Sequence, residues 1–240
     1  MKTLKEFLTE GILDIEDNIE NLSVESLIKD FIRENYDVGK IPQIKKKADK
    51  YIVSTNGYVL VKNKNITTLT NGLFEWGEVN SFYCSNCTLL KDLTGAPKKV
   101  GTNFNCNECT SLESLEGAPK EVGANFDCGN CTSLKSLEGA PEEVGVGFSC
   151  DGCTSLKDLI GAPEKVGSFY CNGCTSLKSL KGAPKEVGEY FSCSGCTSLE
   201  SLKGAPKKVR KIFNCADCGK KFTEEDVEKV CNVTSRVIYV

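Results

Sequence analysis

Histidine is absent from the 240 residues, and tryptophan and methionine occur once each. Without an imidazole the chain lacks the commonest general base at neutral pH and the commonest metal ligand. No Walker-type glycine loop and no G-x-S-x-G elbow occurs, and an H-E-x-x-H zinc helix is impossible. Long apolar runs are missing too. None approaches the roughly 18 residues of a bilayer-spanning helix, and the N-terminus lacks the basic start, apolar centre and small-residue exit of a signal peptide. Neither sign of charge is in excess: 30 basic against 33 acidic residues leave a net charge of −3. A soluble protein is expected, with no membrane partner, and nothing in this balance suggests a general nucleic-acid surface. Proline is sparse and placed: six of the seven, Pro97, Pro119, Pro141, Pro163, Pro184 and Pro206, occupy one repeated position.

What is abundant is cysteine, fifteen in all, and it keeps time with a repeat. Copies of a 22-residue unit begin at Cys84, Cys106, Cys128, Cys150, Cys171 and Cys193, with a truncated seventh at Cys215; one copy has 21 residues. The unit reads C-x-x-C-T-S-L-x-x-L-x-G-A-P-x-x-V-G-x-x-F-x. A fixed period of this size is the signature of a solenoid, in which each turn leaves an apolar edge that the next turn covers. In the copy from Cys106, the apolar set is Leu112, Leu115, Ala118, Val122, Phe126 and the two cysteines. Alternation around F-x-C puts Phe126 and Cys128 on one face of a short strand with Asp127 outward. The shortened copy loses its residue between Gly167 and Phe169, where a loop absorbs it without shifting the strand. Gly-Ala-Pro marks a corner.

These residues resemble a known family. F-x-C-x-x-C-T-S-L-x-x-L is similar to the leucine-rich-repeat core L-x-L-x-x-N/C-x-L, and C-T-S-L-x-S-L-x-x-x-P-x-x-V resembles the short repeats of bacterial BspA-like surface proteins. The resemblance spans roughly residues 65 to 220 and implies a ligand-binding scaffold without implying a chemistry. Gly-Ala stands where BspA-like repeats usually carry a further apolar residue, which leaves open which segment forms the principal sheet.

Fourteen cysteines form seven C-x-x-C pairs and only Cys231 stands apart. Across an extended strand the members of a pair lie about 10 Å apart, beyond the roughly 7 Å reach of a disulfide. Two readings remain: a ladder of buried thiols acting as small hydrophobes, suited to a reducing cytoplasm, and a metal-binding protein whose stacked pairs hold zinc or an iron–sulfur cluster. The ladder is favoured, because both cysteines coincide with core positions of the repeat.

The ends differ from the middle. Residues 1–50 are read as a helical segment and linker, 51–83 as strands and a capping repeat, 84–218 as the repeats, and 219–240 as a helix–strand cap. A first short helix is expected over 1–11 and a second over 24–34, capped by Ser23. Tyr51–Ser54 and Tyr58–Val61 are two strand-like runs about Asn56-Gly57, the pattern of a hairpin or first coil. Phe74 and Trp76 are expected to cover the open edge, and a helix over 224–231 with a strand over 237–240 to close the other end. Met1–Gly11, MKTLKEFLTEG, is similar to the capsid-targeting peptides of internal head proteins of large tailed phages. That resemblance implies a processing site at Leu8, Glu10 and Gly11, cut after Glu10, and a place inside the virion.

No catalytic residue and no cofactor is expected. Cys231, the one thiol outside the ladder, has no histidine to activate it. Lys207, Lys208, Arg210 and Lys211 form a basic patch near the C-terminal end, unaccompanied by the interleaved aromatics of a nucleic-acid surface. The sequence is thus read as a mainly β, capped β-solenoid of 22-residue leucine-rich-type repeats with short helices at both termini. Its expected role is that of a non-catalytic scaffold binding a protein partner.

Overall fold

A computed structural model describes residues 24–70 and 72–240. Helix α1 (Val24–Asn35) buries Ile28 and Ile32 and ends one residue beyond the expected span. The expected first helix, its Ser23 cap and the Leu8, Glu10 and Gly11 processing site lie outside the described residues.

Strands β1 (Tyr36–Val38) and β2 (Gln43–Lys47) follow directly, in a stretch read as linker. They are held by their neighbour and not by their own pattern. Both pair antiparallel with β3 (Lys50–Val61), β2 through residues 50–54 and β1 through 59–61. β3 corrects the reading of two runs about an Asn-Gly turn, because it is one strand of 12 residues. Its parallel partner β4 (Glu75–Tyr83) lies on the other side, and the register slips between Val53 and Thr55 and again between Thr55 and Tyr58. Asn56-Gly57 is therefore spent on a bulge. Thr55 Oγ1 closes it, accepting from the Gly57 amide at 3.1 Å and donating to the Lys40 carbonyl at 3.1 Å.

From β4 onward the chain winds as a β-solenoid with two parallel walls. The first continues from β4 through β6 (Phe104–Asn105), β8 (Asn125–Asp127), β10 (Gly147–Ser149), β12 (Ser168–Tyr170), β14 (Tyr190–Ser192), β16 (Ile212–Asn214) and β18 (Val237–Tyr239). The second comprises β5 (Lys99–Val100), β7 (Glu121–Val122), β9 (Glu143–Val144), β11 (Lys165–Val166), β13 (Glu186–Val187), β15 (Lys208–Val209) and β17 (Asn232–Val233). F-x-C thus forms the principal wall. Register is strict: Phe104 faces Phe126, Phe148 faces Phe169, and Phe191 faces Phe213.

Between the walls, like residues form lines. Seven fully buried phenylalanines, Phe82 to Phe213, stack with centroids 5.0 to 5.9 Å apart. Two leucine lines and a valine line run beside them. Each coil covers the apolar face of the one before it, the reason a single repeat has no stable fold.

The corner explains its glycine. In the fourth copy the Ala162 amide donates to the Leu159 carbonyl at 3.0 Å, closing a turn whose third residue, Gly161, has φ +97°. A Cβ there would stand 2.3 Å from the Leu137 carbonyl carbon and oxygen of the preceding coil. Gly161→Ala is therefore expected to cost about 2–3 kcal/mol, combining left-handed strain with a forced separation of two coils. Glu108, which also has a positive φ (59°) but stands exposed, makes the opposite case. Glu108→Gly should leave stability unchanged or raise it by up to about 1 kcal/mol. Denaturation midpoints of both variants check the pair.

The shortened coil does what a loop deletion should in the first wall, where Phe148 still faces Phe169. The second wall is affected: β9 and β11 are not paired, and the sheet divides there. Removing one residue between Val166 and Phe169 leaves too little chain to satisfy both registers, and the wall carrying the phenylalanine line keeps its own.

Both ends are capped. At one, Phe31, Tyr36, Phe74 and Trp76 form a ring cluster with contacts of 5.1 to 6.2 Å, Tyr36 and Trp76 join it to Phe82 at 6.4 and 5.9 Å, and the Tyr36 hydroxyl donates to the Leu69 carbonyl. At the other, helix α2 (Glu224–Glu228) is shorter than expected and buries Val227 beside Phe222 and Cys231. Thr223 and Asp226 form a reciprocal capping box. No helix among the described residues is long and apolar enough to cross a membrane.

Candidate interaction surface

The strands of the first wall place Phe inward, so the residue on either side of it points out. One outward column reads Ser81, Asn103, Asn125, Gly147, Ser168, Tyr190, Ile212 and Val237. The other reads Tyr83, Asn105, Asp127, Ser149, Tyr170, Ser192, Asn214 and Tyr239. The inward positions hardly vary along the stack, whereas these change between most neighbouring coils; Ser81, Gly147, Ser168 and Ser192 among them are covered by their neighbours. Of these residues only Asp127 was expected outward from the sequence. The signal that could have found them is simply position, one residue either side of each repeated phenylalanine.

Several side chains on this face are hydrogen-bonded to one another. Ser85 Oγ donates to Asn105 Oδ1 at 2.7 Å, Asn105 Nδ2 donates to Asp127 Oδ2 at 3.1 Å, and Asn125 Nδ2 donates to Asn103 Oδ1 at 3.1 Å. Asp127 also braces the turn that follows it, its Oδ1 accepting from the Gly129 amide at 2.9 Å, and within the turns Asp151 Oδ1 accepts from the Asn172 amide of the next coil at 2.6 Å. Burial pushes the Asp151 carboxyl up, against the hydrogen bonds from Asn172, and the Asp127 charge adds to the rise.

Chemistry changes along the face. After Tyr83 the early coils present amides and the Asp127 carboxylate, the later coils Tyr170, Tyr190, Ile212, Val237 and Tyr239. Val237 is 37% and Tyr239 53% exposed, and Lys211 Nζ stands 5.4 Å over the Tyr190 ring while pairing with Glu189 at 2.7 Å. A rigid patch of tyrosines with one cation is the composition that carries binding energy at protein interfaces.

Compared with known proteins, the chain matches no family model, no curated protein and no solved structure. Its surfaces are therefore read from their own chemistry.

The cysteines form two inward columns. Their geometry corrects one expectation: C-x-x-C is a turn and not an extended strand, since the residue before each second cysteine has a positive φ, from Asn86 to Asp217. All fifteen are free thiols. Cys109 Sγ donates to the Cys84 carbonyl of the preceding coil at 3.1 Å, and Cys131, Cys153, Cys174, Cys196 and Cys218 repeat the contact at 3.1 to 3.3 Å. The thiol is thus a small apolar side chain that also satisfies a carbonyl between coils. Among the described residues no three Cys, Asp or Glu side chains converge as metal ligands.

The charged columns after the corner prolines are bridged between coils: Lys120 to Glu142 at 3.2 Å, Lys165 to Glu186 at 3.7 Å, and Lys99 to Glu121 and Lys185 to Glu164 at shorter range. Their side chains are about half to three-quarters exposed, so each contributes little to stability. The basic patch read from sequence divides. Lys207, Lys208 and Arg210 stand exposed at the second wall, whereas Lys211 is taken by Glu189 and Tyr190 on the first.

Proposed function

We propose that this protein is a non-catalytic scaffold of leucine-rich-repeat type that binds another protein through the outward face of its first wall. The observation that carries the reading is the contrast within the first-wall strands from β4 to β16: a phenylalanine inward in each and, beside it, residues that change between most neighbouring coils. Such a surface offers selectivity at little entropic cost, because its strands are fixed and its polar side chains already hydrogen-bonded.

Capture from host extract tests it with the full chain, a Tyr190→Ala/Tyr239→Ala variant and a Glu142→Ala/Glu164→Ala control on the second-wall side. One protein should be enriched by the wild type and the control and fall by about tenfold or more with the tyrosine variant. Equal enrichment by all three, or enrichment of nothing, abandons the reading.

The resemblance of Met1–Glu10 to capsid-targeting peptides gives this scaffold a setting, a phage protein packaged in the head and carried to the host. If that is its setting, mature particles contain a chain whose first residue is Gly11. Particles without the protein, or with Met1 still attached, remove the phage context and leave the scaffold reading standing.

A further inference from the structure

A groove of about 570 Å³ lies where the last Gly-Ala-Pro corner meets the C-terminal cap. Its floor is apolar, formed by Leu202, Ala205, Phe222 and Val230, and Val230 is 38% exposed there. Lys203, Lys207, Lys220 and Lys229 stand around it, with Glu200 and Asp226 as the lining carboxylates. The charges do not cancel. Lys229 is committed to Glu225 at 3.0 Å and to Asp226 at 4.0 Å, and Asp226 is further engaged by the Thr223 cap. Lys203, Lys207 and Lys220 make no ion pair among the described residues. Lys220 lies 5.6 Å over the Phe222 ring, and its charge, with that of Lys229, adds to the Thr223 hydrogen bonds in holding the Asp226 carboxyl below the usual range.

The corresponding groove at the other end of the corner line shows the contrast. It is lined by Phe74, Trp76, Ala96, Ala118 and Ala140, and its lining charges balance, Glu75 and Glu142 against Lys98 and Lys120: Lys120 pairs with Glu142, Glu75 with Lys50, and Lys98 makes no ion pair among the described residues. The same corner geometry therefore gives a neutral groove at one end and a lysine-rimmed one at the other.

We propose that the C-terminal groove is a docking site for an acidic peptide segment of a partner protein that carries a large apolar side chain. The apolar side chain covers Ala205 and Val230, and flanking carboxylates meet Lys203, Lys207 and Lys220. Nucleic acid fits less well. Glu200 and Asp226 oppose a continuous phosphate backbone, and Phe222, 6% exposed, offers no face on which a base could stack. The groove contains none of the outward residues of the first wall, so it is a second surface whose failure would leave the scaffold reading untouched.

The test uses the full chain and three fluorescein-labelled probes: a short Asp/Glu-rich peptide with a central Leu-Phe pair, the same peptide with that pair replaced by Gly-Gly, and an oligothymidylate. The first peptide should bind, weaken as salt is raised, and weaken about tenfold or more with Lys207→Glu/Lys220→Glu; Val230→Glu and the Gly-Gly peptide should each weaken it about as much. Val230→Glu and both lysine substitutions lie at exposed positions, and circular dichroism confirms that the variants remain folded. No binding of the first peptide, equal binding by the lysine variant, indifference to the Gly-Gly change, or displacement by the oligothymidylate overturns the proposal.

Discussion

Raising the pH above about 9 should unfold this protein cooperatively. The cause is the thiol columns. Burial, and hydrogen bonding with the neighbouring Cys131 and Cys174 thiols, push Cys106 and Cys150 up; in Cys87, Cys109, Cys128, Cys171 and Cys193 hydrogen bonding between thiols leads and burial adds to it. Burial raises Cys215 to about 12 and Cys231 to about 11. The unfolded chain releases these protons near pH 8.5 while the folded chain keeps them. Between those values the unfolded state binds fewer protons, so stability is fully present below about pH 8 and falls as pH rises. Each such thiol removes up to about 1.4 kcal/mol per pH unit, so a few together already remove a large part of the stability of a domain. Circular dichroism followed with pH under reductant should show loss of β structure between about pH 9 and 10.5, reversed on prompt return to pH 7. A fold intact at pH 11 would show that the thiols are not held protonated in the stack.

Phe148→Ala should cost about 3–5 kcal/mol, the upper range for a single core substitution. Phe148 is fully buried and stacks on Phe126 at 5.1 Å and Phe169 at 5.3 Å, so its removal opens a void in the middle of the line. It also adjoins the place where the second wall is already divided between β9 and β11. Stability in a stack is a sum of coil and interface terms, and this interface has lost part of one wall. The variant should therefore melt in two steps, with the coils on either side of β10 separating, where the wild type melts in one. Phe104→Ala, in a part of the stack with both walls continuous, should lose a similar amount yet keep a single transition. Calorimetry distinguishes the outcomes: a single transition in both variants would mean that the broken ladder does not weaken the joint.

The solenoid was legible because its signal is repeated. Phe126, Cys128, Leu112, Leu115 and Val122 recur at one spacing, and only stacked coils turn such a period into continuous buried lines. The capping helices were legible through their own cues, the apolar stripe of α1 and the Thr223-to-Asp226 box of α2. What escaped the sequence is what neighbours impose. β1 and β2 have no strand pattern of their own: Gln43–Lys47 carries three consecutive lysines and is held by β3, and lysines on an outer strand discourage further pairing. Asn56-Gly57 has turn chemistry, but partners on both sides of β3 keep the chain extended through it. The C-x-x-C turn was hidden because Asn, Glu, Gly and Asp all occupy its left-handed position. The outward face of the first wall, the proposed interaction surface, was legible only in outline, since periodicity reveals the residues a fold holds constant and the surface is made of those it leaves free.

Everything rests on coils stacked in register, and ring-to-ring contacts measure that directly. Nuclear Overhauser spectra of protein labelled only at phenylalanine should link Phe82, Phe104, Phe126, Phe148, Phe169, Phe191 and Phe213 in a single chain, each ring seeing only the ring one repeat before and one repeat after. Rings that show no contact at one-repeat spacing, or that meet rings two or more repeats away, would contradict the stack.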